Sequence, residues 1–236
     1  MAGGYGRIAS GLLLVAVAAA GLAGCSGGTS SATAAATTAK ASSNTGFTAA
    51  MLRAALLTRV NGVPAAAPAS SGKYSSLSAA RTSKQGANAA QVTPKTCTAA
   101  ATSGFNPTAL AAAPAAAVTF QVGTNGISEV LIASSAKSAS TVLAAGIPAE
   151  CAKYQAKVAG KTYTYGATEQ AVTGIGEQAR VLNVQAVGAK SDDRWSLMYR
   201  GKGFVGTVTV IGPNASEQAV MELGEQAYAF AVKSLS

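Results

Sequence analysis

The first long apolar run lies between Ile8 and Ala20 and contains Leu12, Leu13, Leu14, Val15 and Val17. From Ser26 to about Thr45 the chain holds Ala, Ser and Thr without a large apolar side chain. Such a stretch cannot bury enough surface to offset its conformational entropy, so it reads as a tether. Helical spacing follows from Ala49 to Arg59, with Thr48 as N-cap, Met51, Leu52, Ala55 and Leu56 on one ridge, and Asn61-Gly62 as a stop. Between Val63 and Thr96 only Tyr74, Leu77 and Val92 are available to pack among prolines, glycines and small polar residues, enough for a strand or two.

Beyond Cys97 the period changes. Two β-prone runs, Ala115 to Gly123 and Ile127 to Ala133, flank Thr124-Asn125-Gly126, and Asn-Gly in that position signals a hairpin. Ser135 to Ala145 and Ala149 to Lys157 look helical, separated by Gly146-Ile147-Pro148. Four strands then follow over Lys161 to Thr168, Gln178 to Val187, Arg194 to Arg200 and Phe204 to Ile211. Alternation puts Tyr163 with Tyr165 on one face of their strand, and Trp195, Leu197 and Tyr199 on one face of theirs. The chain closes with a helix whose apolar face carries Val220, Leu223, Ala227 and Phe230; Asn214 is placed as its cap, with Glu217 three residues on. Antiparallel strands with inserted helices and a long final helix indicate an α+β domain of about 190 residues.

The N-terminus has a basic residue at Arg7, an apolar segment shorter than the roughly 20 residues that span a bilayer, and small residues before Cys25. That is a secretory signal. Its end, Leu22-Ala23-Gly24-Cys25, resembles the lipobox of bacterial lipoproteins. The resemblance implies cleavage before Cys25, thioether lipidation of its sulfur and acylation of the new amino terminus. The chain therefore divides into a signal peptide at 1–24, a lipidated cysteine and tether at 25–46, and a domain at 47–236, with a membrane partner reached through the lipid on Cys25 and an extracytoplasmic location.

Composition narrows the chemistry. The chain has no histidine, which excludes Ser-His-Asp triads, Cys-His dyads and HExxH metal sites. The +9 formal charge is spread singly over Ala/Ser/Thr-rich sequence, and every acidic residue lies at or beyond Glu129. Without a dense basic stripe or interleaved aromatics, this fits an anionic envelope surface better than nucleic acid. With Cys25 assigned to lipid, Cys97 and Cys151 remain, and an even remainder in an oxidising compartment indicates one disulfide. A metal pair or a redox pair is disfavoured by the lack of His and of a CxxC spacing.

Several features together resemble the extracellular sensor domain of the mycobacterial protein-kinase-H type, found also on free-standing actinobacterial lipoproteins. They are the leading helix ending Ala54-Ala-Leu-Leu-Thr58, Cys151 after the first hairpin, Gly174-Ile-Gly-Glu-Gln-Ala179 before a strand, the Gly201-Lys-Gly203 hairpin and the Ala-rich final helix. The resemblance covers residues 47 to 236 and implies a mixed fold with a central antiparallel sheet and a ligand cleft.

Candidate chemistry is sparse. Gly174-Ile-Gly-Glu-Gln-Ala leads into a strand rather than a helix, so it reads as a turn and not a phosphate loop. Asp192-Asp193 reads as a solvated turn beside Lys190 and Arg194, and Asn214-Ala-Ser216 matches a glycosylation sequon while serving as a helix cap. No GxSxG occurs. Tyr163, Tyr165, Trp195 and Tyr199 could line a cleft, with Arg180, Arg194 or Arg200 supplying anion contacts. The sequence thus points to a non-enzymatic, lipid-anchored envelope protein with a sensor-like domain for a small-molecule, polymer or protein ligand, without catalytic residues, metal or cofactor. The alternative is an accessory lipoprotein that docks on another envelope protein. Two close carboxylates drawn from Glu129, Glu150, Glu169 or Glu177 would instead indicate an enzyme.

Overall fold

A computed structural model describes residues 46–78, 80–81, 90–102, 108–158, 160–187 and 193–236. Helix α1 (Ala49–Ala54) starts as its sequence requires, Thr48 Oγ1 accepting the Met51 N–H at 3.2 Å. It ends five residues earlier than its periodicity suggests, because the chain turns into β1 (Arg59–Val60), which pairs with β2 (Val63–Pro64). Asn61 and Gly62, at φ 50° and 79°, therefore form the turn of this small hairpin instead of stopping the helix.

The weak middle stretch supplies both edges of the main sheet, β3 (Ser70–Lys73) and β4 (Gln91–Thr93). Short helix α2 (Thr98–Thr102) follows Cys97. The hairpin of β5 (Pro114–Val122) and β6 (Asn125–Ala133) is present, but its turn is Gly123-Thr124, with Val122 opposite Asn125 and Gly123 at φ +59°. Asn125 instead begins β6, and its Oδ1 accepts the Asn214 N–H at 3.2 Å.

Helix α3 (Ala136–Ala144) is capped by Ser135, whose Oγ accepts the Ser138 N–H. The segment expected to be helical from Ala149 to Lys157 is one 3₁₀ turn, Ala149–Ala152, followed by β7 (Lys153–Val158). A two-residue period explains it: Tyr154 and Ala156 are buried while Lys153, Gln155 and Lys157 are exposed. The remaining strands are β8 (Lys161–Val172), β9 (Gln178–Ala186), β10 (Arg194–Gly201) and β11 (Phe204–Ile211). In the last helix, α4 (Glu217–Leu235), the cap is Ser216 rather than Asn214: its Oγ accepts the Ala219 N–H at 3.2 Å.

Nine antiparallel strands stand in the order β3-β5-β6-β11-β10-β9-β8-β7-β4. The late hairpin β10–β11 thus joins an early block, β5–β6, to the block β7–β9. Four α-helices flank the sheet among the described residues. One face, here the helix face, packs α1 (Leu52) and α4 (Val220, Leu223, Ala227, Ala231) over Val118, Phe120, Leu131, Val181, Leu197 and Val208. The opposite face carries two clusters. Ala139, Val142 and Leu143 of α3 cover Ile132, Met198 and Val205, while Cys97, Ala100 and Cys151 cover Tyr154, Ala167, Leu182 and Val184. Cys97 and Cys151 are joined, with Cα atoms 5.3 Å apart, so this is the disulfide face. The fold is α+β, with a central antiparallel sheet, flanking helices, a long C-terminal helix and one disulfide.

Candidate functional site

Helices α1 and α4 lie over β3, β5, β6, β11 and β10, and Ala179, Val181 and Asn183 of β9 are buried, leaving the helix face of β4, β7 and β8 largely uncovered. Its outward positions are polar: Thr93, Lys153, Gln155, Lys157, Thr168 and Gln170 are exposed. Across this face the register aligns Thr168, Asn183 and Trp195 in one rung. Asn183 is buried and fixed, its Nδ2 donating to the Arg194 carbonyl at 3.3 Å. Where the open face meets the start of α4, Gln170 Nε2 donates to Glu217 Oε1. There Thr168, Glu169, Gln170, Val181, Trp195 and Glu217 line a shallow groove of about 90 Å³. Typical small-molecule sites enclose roughly 300–1,000 Å³. This groove therefore has room for one ring or end group of a larger ligand lying on the open face, with a hydroxyl, an amide and a carboxylate as hydrogen-bonding partners and an indole as its apolar wall.

The six residues expected to form a cleft are divided between the two faces. Register and packing place Tyr163, Tyr165, Arg180 and Arg200 on the disulfide face, and Trp195 and Tyr199 on the helix face. They do not form one cleft. Alternation sorts residues within a strand, whereas the relative register of separate strands decides which of them share a face.

The arginines on the disulfide face have structural partners. Arg180 is ion-paired with Glu169 and donates to the Ala145 carbonyl at 2.7 Å, and Glu169 Oε2 accepts the Ile147 N–H at 2.8 Å. The pair thus ties the segment after α3 to the sheet. Burial lowers the Arg180 guanidinium below its ordinary value, and Glu169 opposes the shift. Arg194 donates to the carbonyls of Ala100 and, at 3.0 Å, Ala101, holding α2 over β10. Arg200 pairs with Glu177 at 3.2 Å and donates to the Ala136 carbonyl. Tyr163, Tyr165 and Tyr154 form a row, with centroids 6.5 Å and then 5.5 Å apart, from the solvent to the disulfide core.

Tyr199 is fully buried, edge-on to Phe204 and Tyr228, with its ring over Gly206 of the neighbouring strand. Glu129, only 1% exposed, lies on the same face of β6. Its Oε2 accepts the Leu57 N–H at 2.8 Å; its Oε1 and the Tyr199 hydroxyl have no hydrogen-bond partner among the described residues. Burial raises the Glu129 carboxyl to about 7, with the Leu57 N–H pulling the other way. Burial, and then the Glu129 charge, raise Tyr199 far above its ordinary value. The signal for Glu129 was present in the sequence: it occupies the inward series of Ile127, Leu131 and Ala133.

The four carboxylates considered for acid–base work are not brought together as a pair. Glu129 is buried under α1, Glu169 is held by Arg180, Glu177 pairs with Arg200, and Glu150 accepts from Thr96 Oγ1 at 3.2 Å. Gly174 and Gly176, at φ 89° and 66°, shape the turn into β9. Asn214 reaches Thr124 Oγ1 at 3.4 Å. Among the described residues no group of three His, Cys, Asp or Glu side chains could hold a metal ion, and no helix is long and apolar enough to cross a membrane. Cys25 and Asp192 lie outside the described residues.

The class defined here is an α+β domain on a nine-stranded antiparallel sheet with one disulfide. The solved structures similar to the chain include two mycobacterial proteins. One is the extracellular domain of PknH from Mycobacterium tuberculosis, at 15% identity and a TM-score of 0.44, covering 62% of this chain and 77% of that one. The other is an uncharacterised protein from Mycobacterium smegmatis, at 13% identity and a TM-score of 0.35, covering 62% and 76%. No protein-family model matches the chain, and no curated protein matches it.

Proposed function

We propose that this is an exported, lipid-anchored envelope protein whose domain binds a ligand without transforming it. The observation that carries the reading is the uncovered polar face of β4, β7 and β8, bordered by the groove at Trp195. A secretory signal ending in a lipobox, together with a disulfide that suits an oxidising compartment, supports placement outside the cytoplasm. Trp195 is the chain's single tryptophan, so its fluorescence reports directly on the groove. The protein purified from its own envelope is expected to retain material identifiable by mass spectrometry, and that material, added back to stripped protein, to change Trp195 emission. Absence of both effects overturns the reading. A second reading, docking on another envelope protein, is favoured by Phe230 and Val232, exposed on α4 at 36% and 39%. Cross-linking from that surface in intact cells would yield a defined protein adduct under this second reading.

A further inference from the structure

The β7–β8 hairpin ends in an unusual combination of side chains. Val158 and Tyr163 are 40% and 43% exposed on the disulfide face, and Val187, at the adjoining end of β9, is 62% exposed. Val158 lies opposite Lys161, and Tyr163 opposite Ala156, so Val158 and Tyr163 are diagonal neighbours about 7–8 Å apart. The Val187 N–H donates to the Thr164 carbonyl, so Val187 stands beside β8 on the opposite, helix face. Lysines surround the group. Between Cys151 and Thr168 the chain carries Lys153, Lys157 and Lys161 and no carboxylate. Lys157 stands on the helix face and Lys161 on the disulfide face, so both sides of the tip are cationic. Asp193, at the same end of the sheet, is separated from the hairpin by β9.

We infer that the β7–β8 tip docks on an anionic lipid bilayer, with Val158 and Tyr163 entering the interface and Lys157 and Lys161 meeting headgroup phosphates. Exposed apolar side chains ringed by cations of one sign suit that surface, where apolar burial and attraction to anionic lipid act together. A tyrosine places its ring at headgroup level with its hydroxyl in water. Tyr163 is braced for this by Tyr165 and Tyr154, the latter buried beside the disulfide, so the tip is presented by the core of the domain. The chain enters the domain at the other end of the sheet, where Phe47 lies against Gly203. The stretch from residue 25 to 46 can span at most roughly 75 Å, against about 40 Å for the 12-residue β8. A lipid on Cys25 and a docked tip are therefore compatible, although the docking does not require the lipid.

The test uses the lipidated protein reconstituted into vesicles of phosphatidylglycerol with phosphatidylcholine, or of phosphatidylcholine alone. Hydrogen exchange of the unmodified protein is expected to slow at residues 157–163 in the anionic vesicles only. In a Trp195→Phe background, Val158→Trp is expected to be quenched by brominated lipid in those vesicles. Each lysine near an anionic surface shifts such an equilibrium roughly fivefold, so removing both cations with Lys157→Gln and Lys161→Gln should lower the docked-to-free ratio by about 30-fold. Unchanged exchange at 157–163 in anionic vesicles overturns the inference even if the tryptophan variant fails to fold. Equal protection in phosphatidylcholine overturns the anionic partner, as does protection that appears only when envelope proteins are added. None of these outcomes bears on Trp195, so ligand binding in the groove stands or falls separately.

Discussion

The Leu57 N–H donates to Glu129 Oε2 at 2.8 Å, across 72 residues of sequence. The bond takes the chain leaving α1 and fastens it to the middle of β6 through a carboxyl group that water barely reaches. Desolvation disfavours the charged form, and a single backbone donor compensates only part of that cost.

Stability should accordingly depend on the Glu129 proton. Its folded value of about 7 lies above the ordinary 4.5, so the folded state holds the proton more tightly than the unfolded chain. The contribution is fully present below pH 4.5 and is lost as pH rises through 7, on the order of 3 kcal/mol in all. Glu129→Gln keeps an acceptor for Leu57 and removes the titration. Thermal melts across that window should show the wild-type midpoint falling while the Gln variant stays nearly level; parallel curves would refute the assignment.

The disulfide closes a separation of 54 residues, which in the chain-entropy model stabilises the fold by about 4 kcal/mol. Replacing Cys97 and Cys151 together by Ser should lower the urea midpoint by a corresponding amount. Exchange should accelerate first in α2 and β4, because the cluster of Val92, Ala100 and Tyr154 packs against these two sulfurs.

At an exposed helical site, replacing Gly by Ala gains about 1 kcal/mol. Gly224 should show the opposite sign. A Cβ there would overlap the Leu197 side chain on β10, so Gly224→Ala should destabilise by roughly 1–3 kcal/mol through overpacking. Equilibrium unfolding of that variant, alone and with Leu197→Ala to open the space, tests the contact: the second change should recover part of the loss caused by the first.

The proposed lipid anchor on Cys25 is expected to be separable from folding. Cys25→Ala should move the protein out of the lipoprotein fraction, with loss of the acyl mass, while the Cys97–Cys151 bond still forms. Continued incorporation of labelled fatty acid into the variant would refute Cys25 as the lipidated residue.

Much of the architecture is written in local patterns. Thr48 and Ser135 cap helices because a hydroxyl stands three residues before an otherwise unpaired N–H, and β9 to β11 show as runs rich in Val, Leu and aromatic residues that are buried on both faces. The edge strands were hidden for a physical reason: Ser70–Lys73 and Gln91–Thr93 are short and mostly polar, so their pairing comes from neighbours distant in sequence. Alanine misled at Ala149 to Lys157, where high helix propensity yielded to the burial of Tyr154 and Ala156. The site was less legible than the fold. Trp195 and Tyr199 do share a face, but Tyr199 is sealed beneath α4, and Trp195 meets Thr168 and Gln170 only because β8 and β10 both register on β9.

The position of β10–β11 at the centre of the sheet has a consequence for biogenesis. Until Phe204–Ile211 has emerged, β6 lacks its partner on one side and the β7–β9 block has no connection to the β5–β6 block. A chain of this topology completes its hydrogen-bonded sheet last at the middle, as an arch closes at its keystone, and non-local closure of that kind is slow. The complete sheet therefore cannot form before its last strand is made. For a chain exported as proposed, that is the condition a translocation channel demands of what it must thread before folding on the far side.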